Sequence, residues 1–437
     1  MTLPTAKPKY LTVALYHPRV MKGGAQYVAK DLHDMAAAGE DFDAVLLAGI
    51  DGRMFPQYVK VGSVISALPE TENEYILGGF KFDDFYHVVH DPRRNKMLAR
   101  FLEDHQPDVI HIHHSLWVGL EFIELCRKVL PNVKIIYTLH EYLAMCYSQG
   151  QLFRYHERAI CHQAAPDQCV KCFPGRSAEE FTLRKRFFQR AFSKVDHFVS
   201  PSAYLAERFI EWGIPRDKMS VIPNGHRTSR PAGWQATHSE KLNVFGYFGQ
   251  FVDAKGIDVL LQAARVAAEG SDTPVEVKIF GGNKSHASPD YLLRIEKALD
   301  NAPENLRVTE MGAYSRENVF ELMNSVDWVV VPSVWPETFG LVVSEAWEAR
   351  RPILASRAGG LIERIEHGRN GLSFAPGSVS GLSQLMTQCI GNAALWDSIS
   401  AQVEDEISLD LAWSRHVDLA HSLMTPAQAR PQIALAG

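Results

Sequence analysis

The chain has 437 residues, 46% of them hydrophobic and 22% charged, with a net charge of −6. That length suits two domains, and that balance excludes a disordered chain, a collagen-like repeat and a small disulfide scaffold. The charge is uneven, with 29 basic and 27 acidic residues up to position 240 against 16 and 24 beyond it, and neither part has the basic footprint of a general nucleic-acid binder.

Tyr10 to Tyr16 (YLTVALY) reads as a buried strand, 30 to 38 as helix and 44 to 48 (AVLLA) as the next strand. Residues 108 to 113 (DVIHIH), 134 to 139, 196 to 200 and 219 to 222 are further strands. Strand and helix in alternation imply a parallel sheet covered on both faces. Residues 226 to 242 are polar, contain Pro and Gly and lack periodicity, as an interdomain linker would. The alternation then restarts. Strands are expected at 244–248, 275–280, 328–331 and 353–355, and helices at 256–269, 289–302, 316–323 and 340–350. Ligands of such sheets bind beyond the carboxyl ends of the strands.

No apolar run reaches the ~18 residues of a membrane span. The start, MTLPTAKPKYLTVALYHP, has no secretory pattern, so the expectation is a cytoplasmic protein with reduced thiols.

Three stretches carry candidate chemistry. Gly23-Gly24 follows the first strand and opens a helix, where backbone N–H groups suit a phosphate; a plain turn is the other reading. Gly249-Gln250 begins the loop that ends in Lys255-Gly256, after a strand and before a helix. A Lys there would meet an anion, or would be a solvated surface cation. The third is VPSVWPETFGLVVSEAWEAR, residues 331 to 350. Glu337 lies in a loop opening into a helix near Phe339-Gly340, and Glu345 lies inside that helix. The first-turn amides could receive a diphosphate and Glu345 a pair of ribose hydroxyls. The structural alternative is a first-turn charge on the helix dipole and a surface carboxylate.

Glu337 and Glu345 form an E-x7-E pattern within P-S-x-x-P-E-T-F-G-L-V-x-x-E-A. With Gly23-Gly24, the IPNG ending at Gly225, the G-x5-K-G ending at Gly256 and the AGG ending at Gly360, all in order, the chain resembles the retaining glycosyltransferases of family 4 over about residues 11 to 423. The resemblance implies a GT-B fold: α/β, two Rossmann-like domains facing across a cleft. The expected domains are 1–227 on the acceptor side and 228–407 on the nucleotide-sugar side. A helix at about 408–425 would return to the first domain, and 426–437 would be a flexible tail.

The same resemblance implies roles. Glu345 would hold the donor ribose. Glu337 and the backbone of Thr338, Phe339, Gly340 and Leu341 would hold the donor sugar and diphosphate. Lys255, with the amides of Gly23 and Gly24, would neutralise the leaving diphosphate. His113, in the D-V-x-H-x-H context, would line the sugar site beside His111 and His114. Gly249 and Gln250 complete the donor loop, with Gln250 standing where the family commonly has Arg. Sugar would pass from a nucleotide diphosphate to a hydroxyl of a glycan or lipid-linked acceptor with retained configuration, in surface polysaccharide or glycolipid synthesis. No cofactor would be required. The rivals are a nucleotide-sugar epimerase or hydrolase of the same fold and a non-catalytic sugar-binding scaffold. Asp41-Phe42-Asp43 precedes a strand, at the wrong end of the sheet for a metal-bound diphosphate.

Two features stand apart. Cys146, Cys161, Cys169 and Cys172 cluster and end in a C-x-x-C knuckle, which raises a structural zinc site; the other reading is four reduced, independent thiols. Residues 181 to 198 (FTLRKRFFQRAFSKVDHF) interleave Phe with Lys and Arg. As a helix they could lie on an anionic bilayer, making the protein peripheral on the inner membrane face, or could bury the Phe face in the core.

Overall fold

The computed structural model describes residues 7–425 except 61, 229 and 283. The chain forms two compact units. Residues 7–150, 165–225 and 407–425 make the first, and 151–164 with 226–406 make the second. The tail expected at 426–437 lies outside the described residues.

The first unit is built on eight strands. Their order is Met219–Val221, His197–Ser200, Lys134–Thr138, Val109–Ile112, Lys9–Leu15, Asp43–Asp51, Glu74–Gly79 and Ile65–Ala67. Every pair is parallel except the last. The central strands are mainly apolar because both faces are covered: Leu11, Val13, Ile110 and Ile135 are fully buried. The order reverses between Lys9–Leu15 and Val109–Ile112, which makes their carboxyl ends a topological switch point. Gly23 follows one of these strands and His113 the other.

The last helix, Leu409–Met424, is capped by Ser408, whose Oγ accepts from the Leu411 amide. It packs on the helix Gly24–Ala38 and the strand Lys134–Thr138. Buried Trp413 meets Tyr10 and Phe42 edge-on, with ring centres 5.8 and 6.0 Å apart. Emptying such a site typically costs about 3–5 kcal/mol, which fastens this distant segment to the first unit.

The second unit has six parallel strands, in the order Leu306–Gly312, Val275–Phe280, Val244–Phe248, Trp328–Val331, Ile353–Ser356 and Leu372–Phe374. Its switch point lies between Val244–Phe248 and Trp328–Val331, and Lys255 and Glu337 follow those two strands. Residues 226–242 are tied to this unit. The Arg230 amide donates to Glu348 at 2.6 Å, its guanidinium pairs with Asp405, and Trp234 packs on Phe320.

Some elements were illegible for a physical reason. Glu74–Gly79 begins with a buried carboxylate and ends in two glycines, a poor strand composition. Leu306–Gly312 is an edge strand, mostly exposed, with charges that hide its period. The helix expected at 316–323 begins only at Val319. Residues 151–164, placed by the sequence reading in the first domain, belong to the second unit. Among the described residues no helix is long and apolar enough to cross a membrane.

Candidate functional site

In the second unit, three donors converge on one oxygen. The Lys255 ammonium lies 2.6 Å from Glu337 Oε1, the Ser333 hydroxyl 2.5 Å and the Trp335 indole N–H 2.9 Å. The Lys255 ammonium also sits over the Trp335 ring, 5.2 Å from its centre. Glu337 is buried, and the ion pair with two neutral donors compensates its charge.

Two glycines make this approach possible. Gly256, at φ +69°, ends the Lys255 turn; a Cβ there would lie 2.2 Å from the Pro332 carbonyl oxygen. Gly359, at φ +64°, packs on the Glu337 backbone, where a Cβ would lie 2.2 Å from its carbonyl oxygen. The Gly360 amide then donates to that oxygen at 2.6 Å. The AGG loop is therefore part of the frame that holds Glu337.

The helix Leu341–Glu348 starts at Gly340 with no side-chain cap, so Thr338 to Leu341 present backbone at a helix N-terminus. Inside it, Glu345 Oε2 is buried without a hydrogen-bond partner. Burial raises the Glu345 pKa to about 7, with Arg316 pulling the other way. Tyr314 lies close enough for the Glu345 charge to add to the burial that raises its phenol. Tyr314 in turn stands edge-on to Phe248, which stacks on Phe280 at 4.4 Å. Gly249 closes the strand end with its amide on the Phe280 carbonyl, and the Gln250 carbonyl accepts from Tyr247 at 2.8 Å while its side chain is exposed.

The first unit holds the other candidates. Gly23 precedes the helix Gly24–Ala38 in extended conformation, again with no side-chain cap. His113 is buried; its Nδ1 lies 3.0 Å from His140 Nε2, and its own Nε2 has no partner. His111 is held on both nitrogens, by the Tyr10 hydroxyl and the Thr138 hydroxyl, each at 2.6 Å. His114 Nδ1 accepts from the Leu116 amide. Burial keeps all three neutral, with pKa values below the usual imidazole range. Of the three, His113 is the one with a fully buried ring nitrogen that has no hydrogen-bond partner.

The four clustered cysteines fall in two units of the fold. Among the described residues, no three His, Cys, Asp or Glu side chains are gathered as metal ligands. Cys161 belongs to the second unit and donates to the Gln163 carbonyl, whereas Cys146, Cys169 and Cys172 belong to the first. No disulfide forms. Residues 181–198 are also divided by the fold. Phe181, Phe188 and Phe192 are core, and Arg184 is buried against the carbonyls of Phe85, Ala144 and Leu143. Leu183, Arg186, Phe187 and Arg190 remain on the outer face of the helix Ala178–Phe192.

The sequence reading missed Ser333 and Trp335 as Glu337 partners, Tyr314 and Arg316 beside Glu345, and His140 beside His113. Ser333 and Trp335 stood in the quoted motif; their neighbours gave no sign of which way they point.

Residues 22–230 match Glycosyltransferase Family 4, and residues 232–403 match Glycosyl transferases group 1. The chain belongs to the family 4 glycosyltransferases, and its fold is GT-B. It is 27% identical over 274 residues to a D-inositol 3-phosphate glycosyltransferase of Corynebacterium urealyticum, covering 61% of this chain and 59% of that protein. It is 27% identical over 235 residues to an uncharacterized glycosyltransferase of Methanocaldococcus jannaschii, covering 53% and 60%. The chain thus spans about three fifths of these relatives' length. Among solved structures, Anabaena HepE in complex with UDP and glucose matches with TM-score 0.65 at 16% identity, over 95% of this chain and 100% of that one. A glycosyltransferase from Rickettsia africae matches with TM-score 0.65 at 16% identity, over 96% and 100%.

Proposed function

We propose that the protein is a retaining glycosyltransferase that takes a sugar from a nucleotide diphosphate. The observation that carries this is the Lys255–Glu337 pair at the switch point of the second unit, with Glu345 Oε2 buried and without a hydrogen-bond partner in the helix that follows. Glu345 would accept the ribose hydroxyls. The amides from Thr338 to Leu341 would take the diphosphate, and Lys255 would turn from Glu337 to the charge that grows on the leaving oxygen. The anomeric C–O bond to phosphate breaks, the new bond to the acceptor oxygen forms on the same face, and the departing phosphate oxygen takes the acceptor proton. In the first unit, His113 would offer its partnerless Nε2 to a sugar hydroxyl. The reading needs no metal, because Lys255 and helix amides supply the positive potential. The UDP, glucose and UDP-glucose bound in the Anabaena structures support such a donor.

The acceptor in this reading is a glycan or a lipid-linked glycan of surface polysaccharide or glycolipid synthesis. Leu183 and Phe187 beside Arg186 and Arg190 give the helix Ala178–Phe192 an outer face suited to an anionic bilayer. Cosedimentation with phosphatidylglycerol vesicles checks this; a Leu183→Asp/Phe187→Asp variant should lose binding.

The deciding experiment is thermal unfolding against UDP, GDP, ADP and their common sugars with EDTA present. One nucleotide should raise the midpoint by mass action, and its sugar form should be consumed with retained configuration. No shift with any of them refutes the donor reading.

A further inference from the structure

Residues 151–164 leave the first unit after Gly150 and return to it at Ala165, yet they belong to the second. They form a short antiparallel hairpin, Phe153–Arg154 with Ala159–Ile160. The hairpin touches both loops of the Lys255–Glu337 pair. At its turn, the Arg158 guanidinium lies 3.1 Å from Asp253 Oδ1 and 2.9 Å from Asp258 Oδ2. These carboxylates flank Lys255: Asp253 begins its turn, and buried Asp258 sits in the first turn of the helix Ile257–Glu269. Arg294 pairs with the same two carboxylates from the other side of the sequence. At its base, Phe153 is 1% exposed and forms a buried cluster with Val259 and Val334, against which Trp335 packs. Trp335 is the indole that donates to Glu337.

We propose that this hairpin is a positioning clamp for the donor site, with Arg158 holding the Lys255 turn and Phe153 the Trp335 loop. Arg suits the task, because its rigid planar fork can bridge two carboxylates. The proposal rests on the donor reading for its consequence: hairpin docking and nucleotide binding are linked, so loosening one weakens the other.

Arg158 touches no reacting atom, so the test separates positioning from folding. Hydrogen–deuterium exchange is compared in the wild type, Arg158→Ala, Arg158→Lys and Phe153→Ala, with no nucleotide present. Arg158→Ala should speed exchange at 253–258 while the helix interior at 260–268 stays protected. Phe153→Ala should speed it at 333–337. Binding of the nucleotide that shifts the wild type should weaken about 10–100-fold in Arg158→Ala, with KM for its sugar rising, and recover in part in Arg158→Lys. Unchanged exchange at 253–258 overturns the clamp. So does faster exchange with unaltered affinity. If the wild type binds no nucleotide, the donor reading falls, and the exchange result by itself decides whether the hairpin holds the Lys255 turn.

Discussion

Lys255 and Glu337, 82 positions apart in the chain, meet at 2.6 Å beyond the carboxyl ends of two adjacent strands. The pair keeps a buried carboxylate neutralised, and it holds the one cation of its loop at the place where a diphosphate would arrive. Ser333 and Trp335 donate to the same oxygen, so Glu337 would keep two partners if Lys255 turned to a ligand.

Lys255→Ala should therefore leave a folded protein and lower turnover by about 100-fold, since a preorganised charge at a leaving group is worth that much. Lys255→Arg should restore part of it. Initial rates at saturating donor, with circular dichroism as the folding control, check this. A variant with full turnover would remove Lys255 from the site.

Glu345 gives a pH signature. Its pKa is about 7 in the folded protein and in the ordinary carboxylate range unfolded. The folded state thus binds the extra proton between those values. The contribution to stability is fully present below the unfolded pKa and is lost as pH rises through 7. Glu345→Gln removes the ionisation and should be more stable than wild type at pH 8 by on the order of 3 kcal/mol, and by less than about 1 kcal/mol at pH 5. Urea unfolding at the two pH values measures it. If the carboxylate accepts ribose hydroxyls, wild-type nucleotide affinity should rise from pH 6 to pH 8, and the variant should show no such slope.

The buried histidines of the first unit act in the opposite direction. His140 and His416 have pKa values lowered by burial to about 4, His114 to about 3, and His111 and His113 lie well below the usual value. Unfolding exposes them and lets them take protons. Stability is complete above the unfolded imidazole pKa and falls as pH drops toward 4, by up to about 1.4 kcal/mol per pH unit for each histidine. Denaturant midpoints from pH 7 to pH 4.5 should show this. His416→Gln should flatten the slope.

Gly256→Ala and Gly359→Ala should each destabilise the second unit by about 1–3 kcal/mol, because both add a left-handed backbone penalty and a Cβ pressed on a carbonyl oxygen. Each should also weaken nucleotide binding, Gly256→Ala through Lys255 and Gly359→Ala through Glu337. Gly377→Ala, also at positive φ but with open space around its Cβ position, is the control for the backbone penalty alone. Equal losses in all three would remove the packing argument.

What the sequence by itself determined is local. Most buried strands showed as largely apolar runs, since a parallel sheet covered on both faces leaves no polar period to confuse them. Glu337 and Glu345 showed because their spacing is set within one loop and one helix. The tertiary structure decided what depends on side-chain direction or distant partners. It singled out His113 by satisfying both nitrogens of His111, and it turned Phe181, Phe188 and Phe192 into core. It assigned Cys161 to a different unit from Cys146, Cys169 and Cys172. It also carried Arg158 to Asp253 and Asp258, 95 and 100 positions away. A one-dimensional pattern encodes periodicity and neighbourhood; it does not encode which distant charge a buried carboxylate will find, because that is fixed only when the packed core brings the two together.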